Sequence, residues 1–117
     1  MKAGDIYWVE LPASSGHEQV GRRPAIILQD DSYAGGVPLV IVIPLTGAAS
    51  AARFAGALTV EPDDINGLRQ TSVALVFQVR AVDRRIVRDK LGTLAEASLD
   101  EVYTLLDRLT GRVRTNV

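Results

Sequence analysis

Hydrophobic and polar residues alternate near the start of this chain. Over residues 5–11, Ile6 and Trp8 fall on one side with Glu10, and Tyr7, Val9 and Leu11 on the other. This two-residue period, rich in aromatics and ended by Pro12, predicts a β-strand. Ala25-Ile26-Ile27-Leu28 is apolar on both sides and predicts a buried strand over residues 25–29. Residues 39–45 are almost wholly apolar and predict a third, central strand, with Pro44 at its end or edge because proline offers no ladder donor. A short strand is expected over residues 56–60, with Arg53 and Phe54 ahead of it. The longest is expected over residues 71–82. There Thr71, Val73, Leu75, Phe77 and Val79 would form an apolar face, and Ser72, Ala74, Val76, Gln78 and Arg80 the other. Ile86-Val87 and Leu91-Gly92 read as further short extended pieces.

Only the end of the chain has helical spacing. Leu99, Val102, Tyr103, Leu106 and Leu109 make one stripe suited to packing on a sheet. Ser98 and Glu101, three residues apart, read as a capping box, and Gly111 as the residue past the helix end. Arg108 and Arg112 suit the negative end of the helix dipole, and a loose tail is expected from about residue 112. Asp30-Asp31-Ser32, Ala34-Gly35-Gly36 and residues 62–67 carry turn chemistry. Short strands at close spacing with one terminal helix predict a small, strongly bent sheet or barrel.

Composition narrows the chemistry. The 117 residues, 47% hydrophobic and 23% charged, fit one soluble domain with a core of its own, here taken as residues 1–117. The absence of cysteine removes disulfides and thiolate zinc sites, and a single histidine removes multi-histidine metal sites. No apolar signal region follows Met1-Lys2, and no run approaches the roughly 20 residues that span a bilayer. A cytoplasmic protein without membrane contact is therefore expected. The net charge of −1 gives no global case for nucleic acid. Arg69, Arg80, Arg84, Arg85, Arg88 and Lys90 nevertheless gather in one segment against only Asp83 and Asp89, which predicts one positive surface.

The candidate chemistry centres on the polar stretch 16–23, which carries the only histidine, His17, and ends in Arg22 and Arg23 before Pro24. At the mouth of a buried strand, His17, Glu18, Gln19, Arg22 and Arg23 stand where functional loops usually stand. Arginine there fits an oxyanion, since its planar fork binds phosphate or carboxylate by two parallel hydrogen bonds. A solvated loop with Arg23 paired to Glu18 is the plainer reading. Thr46, Ser72, Gln78 and Arg80 also fall at strand ends. Arginine, hydroxyl and imidazole suffice for RNA cleavage without metal. The RNA 2′-hydroxyl is the nucleophile, so the protein positions, moves protons and stabilises a dianionic phosphorane. The same groups can also bind phosphate passively: Thr46 can cap a turn, Ser72 can satisfy a backbone group, and Arg80 can pair with Asp83 or Asp5.

Taken together, several motifs resemble the MazF/PemK family of toxin endoribonucleases. They are Gly4-Asp5-Ile6-Tyr7-Trp8, Gly16-His17-Glu18-Gln19 with Gly21-Arg22-Arg23-Pro24, Pro44-Leu45-Thr46, Ser72-Val73, residues 78–83 and Lys90-Leu91-Gly92-Thr93-Leu94. The likeness runs from about Gly4 to Leu109. It implies an SH3-like, CcdB-like small β-barrel with a C-terminal α-helix, a homodimer, and cofactor- and metal-independent cleavage of single-stranded RNA to a cyclic phosphate and a 5′-hydroxyl. It also implies a small, partly disordered, often acidic antitoxin as partner. By the same resemblance Arg23, Thr46 and His17 take catalytic positions, while Glu18, Gln19, Arg22, Arg53, Ser72, Gln78 and Arg80 are expected to contact RNA. The chain departs from the PemK-like branch at Leu75 and Phe77, where that branch carries an arginine and an aspartate; other members carry a glutamate at the position of Phe77. A gyrase-poisoning toxin of the CcdB type and a non-cutting RNA- or antitoxin-binding member are the alternative readings.

Overall fold

The computed structural model describes residues 1–112. In chain order it contains β1 (Asp5–Leu11), β2 (Gly21–Ile27), the one-turn α1 (Asp31–Ala34), β3 (Leu39–Thr46), β4 (Ala57–Val60), β5 (Ser72–Leu75), β6 (Arg80–Asp83), β7 (Val87–Thr93) and α2 (Glu96–Leu109). Short 3₁₀ turns occupy Ala49–Arg53, Val76–Gln78 and Arg84–Ile86. The strands pair antiparallel in the order β4-β5-β3-β2-β1-β7, with β6 also on β3. β4 and β7 remain at opposite ends of that order. The expected barrel is thus a mainly β sheet with a C-terminal helix that does not close on itself.

β3 explains the shape. On one side it pairs with β2; on the other, Leu39–Val42 pairs with β6 and Leu45–Thr46 with β5. Leu28 N donates to Ile41 O at 2.9 Å, so Leu28–Ile41 and Ile26–Ile43 are the hydrogen-bonded pairs and Ala25–Pro44 is not. The Pro44 nitrogen therefore faces away from β2, into the gap where β3 has left β6 and not yet met β5. Its missing N–H costs nothing there, although the residue lies inside a strand rather than at its end.

The same change of partner breaks the long strand expected over residues 71–82. The chain turns through Val76–Gln78, with Val79 N donating to Val76 O at 3.1 Å, so that β5 and β6 each reach their own part of β3. Val76 goes into the core and Phe77, expected on the apolar face beside Leu75, turns out to 39% exposure. The two extended pieces expected around residues 86–92 are one strand, β7, and Asp31-Ser32 form α1 rather than a turn, capped by the Asp30 carboxylate accepting from Ser32 N.

Two apolar clusters flank the sheet. One joins Ile6, Ile26, Ile43, Leu45, Ala74 and Val76 to Leu94 and Val102 under α2; the other joins Val9, Leu11, Ala25, Ile27, Val40, Val42 and Val82. Helix α2 presents Leu99, Val102, Leu105 and Leu106 to the first cluster, while Tyr103 and Leu109 stay partly exposed. The expected Ser98–Glu101 box does not form: Ala95 is the N-cap and makes no side-chain cap bond. Buried Leu94, whose N donates to Gly4 O at 2.8 Å, fixes the chain up to Ala95, so the helix starts before Ser98. Gly111 follows the helix at φ +80°, the left-handed value its position requires. No described helix is long and apolar enough to cross a membrane. Beyond Arg112, the tail expected from about residue 112 lies outside the described residues.

Candidate functional site

The arginine segment is not a loop. Gly21-Arg22-Arg23-Pro24 forms the first half of β2, because β1 runs on to Leu11 and keeps pairing, with Trp8 opposite Pro24, Val9 opposite Arg23 and Glu10 opposite Arg22. The ladder between β2 and β3 ends at Ala25–Pro44. Continuing that register by two residues sets Arg23 against Thr46, and opposed residues on antiparallel strands share a face. Both residues line one open cavity of about 680 Å³, together with Trp8, Arg22, Arg69, Gln70 and Ser72.

The bonding within this cavity separates its groups. Arg23 Nε donates to Val20 O at 2.9 Å; its terminal amino groups have no partner among the described residues, and no carboxylate pairs with it there. A half-buried guanidinium held by one nitrogen, with its others facing a cavity, is prepared for an oxyanion. Thr46, 6% exposed, accepts from Ala48 N at 3.2 Å through Oγ1. It does cap a turn, but as an acceptor, which leaves its O–H free to donate. Ser72 Oγ instead donates to Gln70 O at 3.1 Å and keeps only acceptor capacity. Arg22 lies over the Trp8 ring, 4.7 Å from its centroid, so a cation and an aromatic face share the rim.

The loop before β2 is tied to the far end of β3's other neighbours. Gln19 N donates to Gln78 Oε1 at 2.8 Å, and Arg80 Nη2 donates to Gln19 O at 2.6 Å. His17 O accepts from Gln78 Nε2 at 3.4 Å. Buried Gln19 Oε1 and Arg80 Nε have no hydrogen-bond partner in this joint. Burial lowers the Arg80 pKa, with the Glu18 charge opposing the shift. The Glu18 carboxyl is held below its usual range first by a hydrogen bond from the Ser14 hydroxyl. The Arg23–Glu18 pair is not formed, nor does Arg80 pair with Asp83 or Asp5, which bind Arg85 and Lys90. His17, Glu18, Gln19, Gln78 and Arg80 therefore make a second cluster. It is joined to the cavity through Val20 and is not part of the cavity lining.

Arg53 stands apart from both, over the Phe54 ring at 4.9 Å from the centroid. The expected positive surface is largely neutralised in place. Arg84 binds Asp31 at 3.2 Å, Arg85 binds Asp83 at 2.8 Å, Lys90 binds Asp5 at 3.4 Å, and Arg88 lies 4.0 Å from Glu10. Of that group only Arg69 lines the cavity.

Of the cavity wall at residues 67–70, only Arg69 was expected to contribute, as part of the positive surface. The wall's only sequence signal is a polar Arg69-Gln70 pair after a turn-rich stretch. The fold sets it firmly. Asn66, fully buried, donates through Nδ2 to Glu61 O at 2.8 Å and accepts at Oδ1 from Leu68 N at 2.9 Å and Asp63 N at 3.3 Å. Gly67, at φ +70°, lies so close to β7 that a Cβ would meet Leu91 O at 2.2 Å. Thr93 N donates to Ile65 O at 2.8 Å from the same strand.

This geometry is shared with known proteins. A crystal structure of MazF from Deinococcus radiodurans superposes with a TM-score of 0.80 at 30% identity, covering 95% of this chain and 96% of that one. A MazE–MazF structure from the same organism gives 0.75 at 31% identity, covering 97% of each chain. The Endoribonuclease MazF of Staphylococcus saprophyticus is 33% identical over 107 residues, 92% of this chain and 88% of that protein. The family model described as the PemK-like, MazF-like toxin of type II toxin–antitoxin systems matches residues 2–110, and the chain belongs to that family.

Proposed function

We propose that the protein is the toxin of a type II toxin–antitoxin pair, an endoribonuclease that cuts single-stranded RNA in the cytoplasm. The reaction is an internal transesterification. The 2′-hydroxyl oxygen attacks the adjacent phosphorus and gives up its proton; the bond to the 5′-oxygen breaks, and that oxygen takes a proton. The products are a 2′,3′-cyclic phosphate and a 5′-hydroxyl, and no cofactor is needed for the balance.

The observation that carries this reading is that Arg23 and Thr46 line the same cavity, the first with free guanidinium N–H groups and the second with a free O–H. Arg23 neutralises the charge that develops on the phosphorane, and Thr46 donates to one of its oxygens. His17, on the loop that carries Val20 and outside the cavity lining, is the proton carrier in this reading. Arg22, Ser72, Gln19, Glu18, Gln78, Arg80 and Arg53 hold the RNA on either side. The Endoribonuclease MazF relatives support the activity, and the MazE–MazF complexes of a related toxin support a small antitoxin as partner. Alternate residues Val37, Leu39 and Ile41, 40–45% exposed, form an apolar strip that supports a homodimer.

The test is RNA cleavage by purified protein in EDTA, with the ends mapped. Wild type leaves 5′-hydroxyl ends, and Arg23→Ala slows cutting by about 10²–10³-fold while still folding. Full-rate cutting by Arg23→Ala would remove Arg23 from the mechanism, and intact RNA with wild type would overturn the reading.

A further inference from the structure

Phe54 and Phe77 are 47% and 39% exposed, yet they contact each other, ring centroids 5.6 Å apart and planes inclined at 58°. Arg53 lies over Phe54 and makes no ion pair among the described residues. An exposed aromatic pair with an unpaired guanidinium is the kit for a stacked base and its phosphate. Both halves are tethered to the cavity. The chain leaves the cavity at Thr46 and Gly47, turns through Ala49–Arg53 and delivers Phe54. Phe77 precedes Gln78, which holds Gln19, next to the Val20 carbonyl that fixes Arg23.

We infer that Phe54 and Phe77, with Arg53, form a stacking platform for one base of the RNA flanking the scissile link. This rests on the endoribonuclease reading and extends it. The ring of Phe77 takes the base and Arg53 meets a neighbouring phosphate. Single-stranded RNA is favoured over an apolar peptide because the platform combines π faces with a free cation, and the chain beside it leads to the cavity at Thr46 and Gly47. Phe77 supplies a stacking face, which a carboxylate at that position lacks, so the platform is a property of this chain's own sequence.

The test uses the full chain and RNA oligonucleotides carrying a 2′-deoxy residue at the cut position, shortened by one nucleotide at a time from each end. With wild type, removal of one flanking nucleotide weakens binding by about five- to fiftyfold. Phe77→Ala weakens binding of the full oligonucleotide by the same factor and no longer responds to that removal. Its single-turnover rate at saturating RNA is unchanged. Phe77→Trp restores affinity; Phe77→Leu, which keeps an apolar contact with Phe54 but has no π face, does not. Equal RNA affinity of a folded Phe77→Ala overturns the platform. So does a loss confined to an acidic antitoxin peptide, or a change in oligomeric state that accounts for the weaker binding. Wild type that cuts while Phe77→Ala binds equally well overturns the platform alone; wild type that neither binds nor cuts RNA overturns the endoribonuclease reading and the platform with it.

Discussion

In the proposed reaction a fixed charge and a movable hydrogen are supplied by two residues on facing strands. Arg23 is oriented by Val20 O, so its position depends on a backbone atom and not on a competing carboxylate. Thr46 is oriented by Ala48 N, an arrangement in which the backbone takes the lone pair and leaves the hydrogen. Thr46→Val, of nearly the same shape, therefore lowers the single-turnover rate at saturating RNA by about 100-fold, the loss typical of one transition-state donor. Thr46→Ser keeps most of the rate. Unchanged cleavage by Thr46→Val would leave the hydroxyl with only its turn-capping role. Asn66 makes a different demand, since it is fully buried and three backbone groups depend on its amide. Asn66→Ala strands these groups and costs about 2–4 kcal/mol, read as a lower urea midpoint at constant slope.

At the scale of elements, the cavity exists because loop 61–70 is pressed onto β7. A Cβ at Gly92 would stand 2.3 Å from Ile65 O and 2.6 Å from Asn66 C, both backbone atoms that cannot rotate away. Gly92→Ala lifts the loop, lowers stability by about 1–3 kcal/mol, and reduces cleavage by moving Arg69 and Gln70. Thermal unfolding and RNA cutting of the one variant check both effects, and an unchanged melting temperature would contradict the close approach. The turn and the charge of Arg69 were legible, but the wall they build was not, because Asn66 and Gly67 look like ordinary turn residues until the partner strand is in place. The strands themselves were legible wherever one signal held over a whole strand, the alternation of β1 and the apolar run of β3. The reading failed where tertiary pairing overrode local pattern. The alternation over residues 71–82 is real, but β3 needs two different neighbours, and that need turns the chain at Val76–Gln78. Likewise Arg22 and Arg23 look like loop residues, yet the ladder with β1 carries them into a strand. The Arg23–Thr46 pairing came from the family resemblance; its geometric cause is the β2–β3 register.

Across the whole molecule, carboxylates held by local hydrogen bonds and by the Arg85 guanidinium give the fold its acid dependence. Asp83 is lowered to about 2, chiefly by the Arg85 side chain and then by Arg85 N. Asp30 is lowered by Ser32 N, and Glu18 by the Ser14 hydroxyl. In each case the folded pKa lies below the unfolded one, so the stabilisation is complete above the ordinary carboxylate range of about 4. It is lost as pH falls from there through the folded values, down to about 2 for Asp83. The urea midpoint is accordingly flat with respect to these groups near neutrality and falls between about pH 4 and pH 2. Asp83→Asn removes part of that fall without changing the neutral plateau much, because the pair is exposed and screened. Loss of RNA binding that tracks the urea midpoint reports unfolding. Loss of binding well above pH 4, in protein that remains folded, would instead assign an acid-sensitive group to the RNA surface.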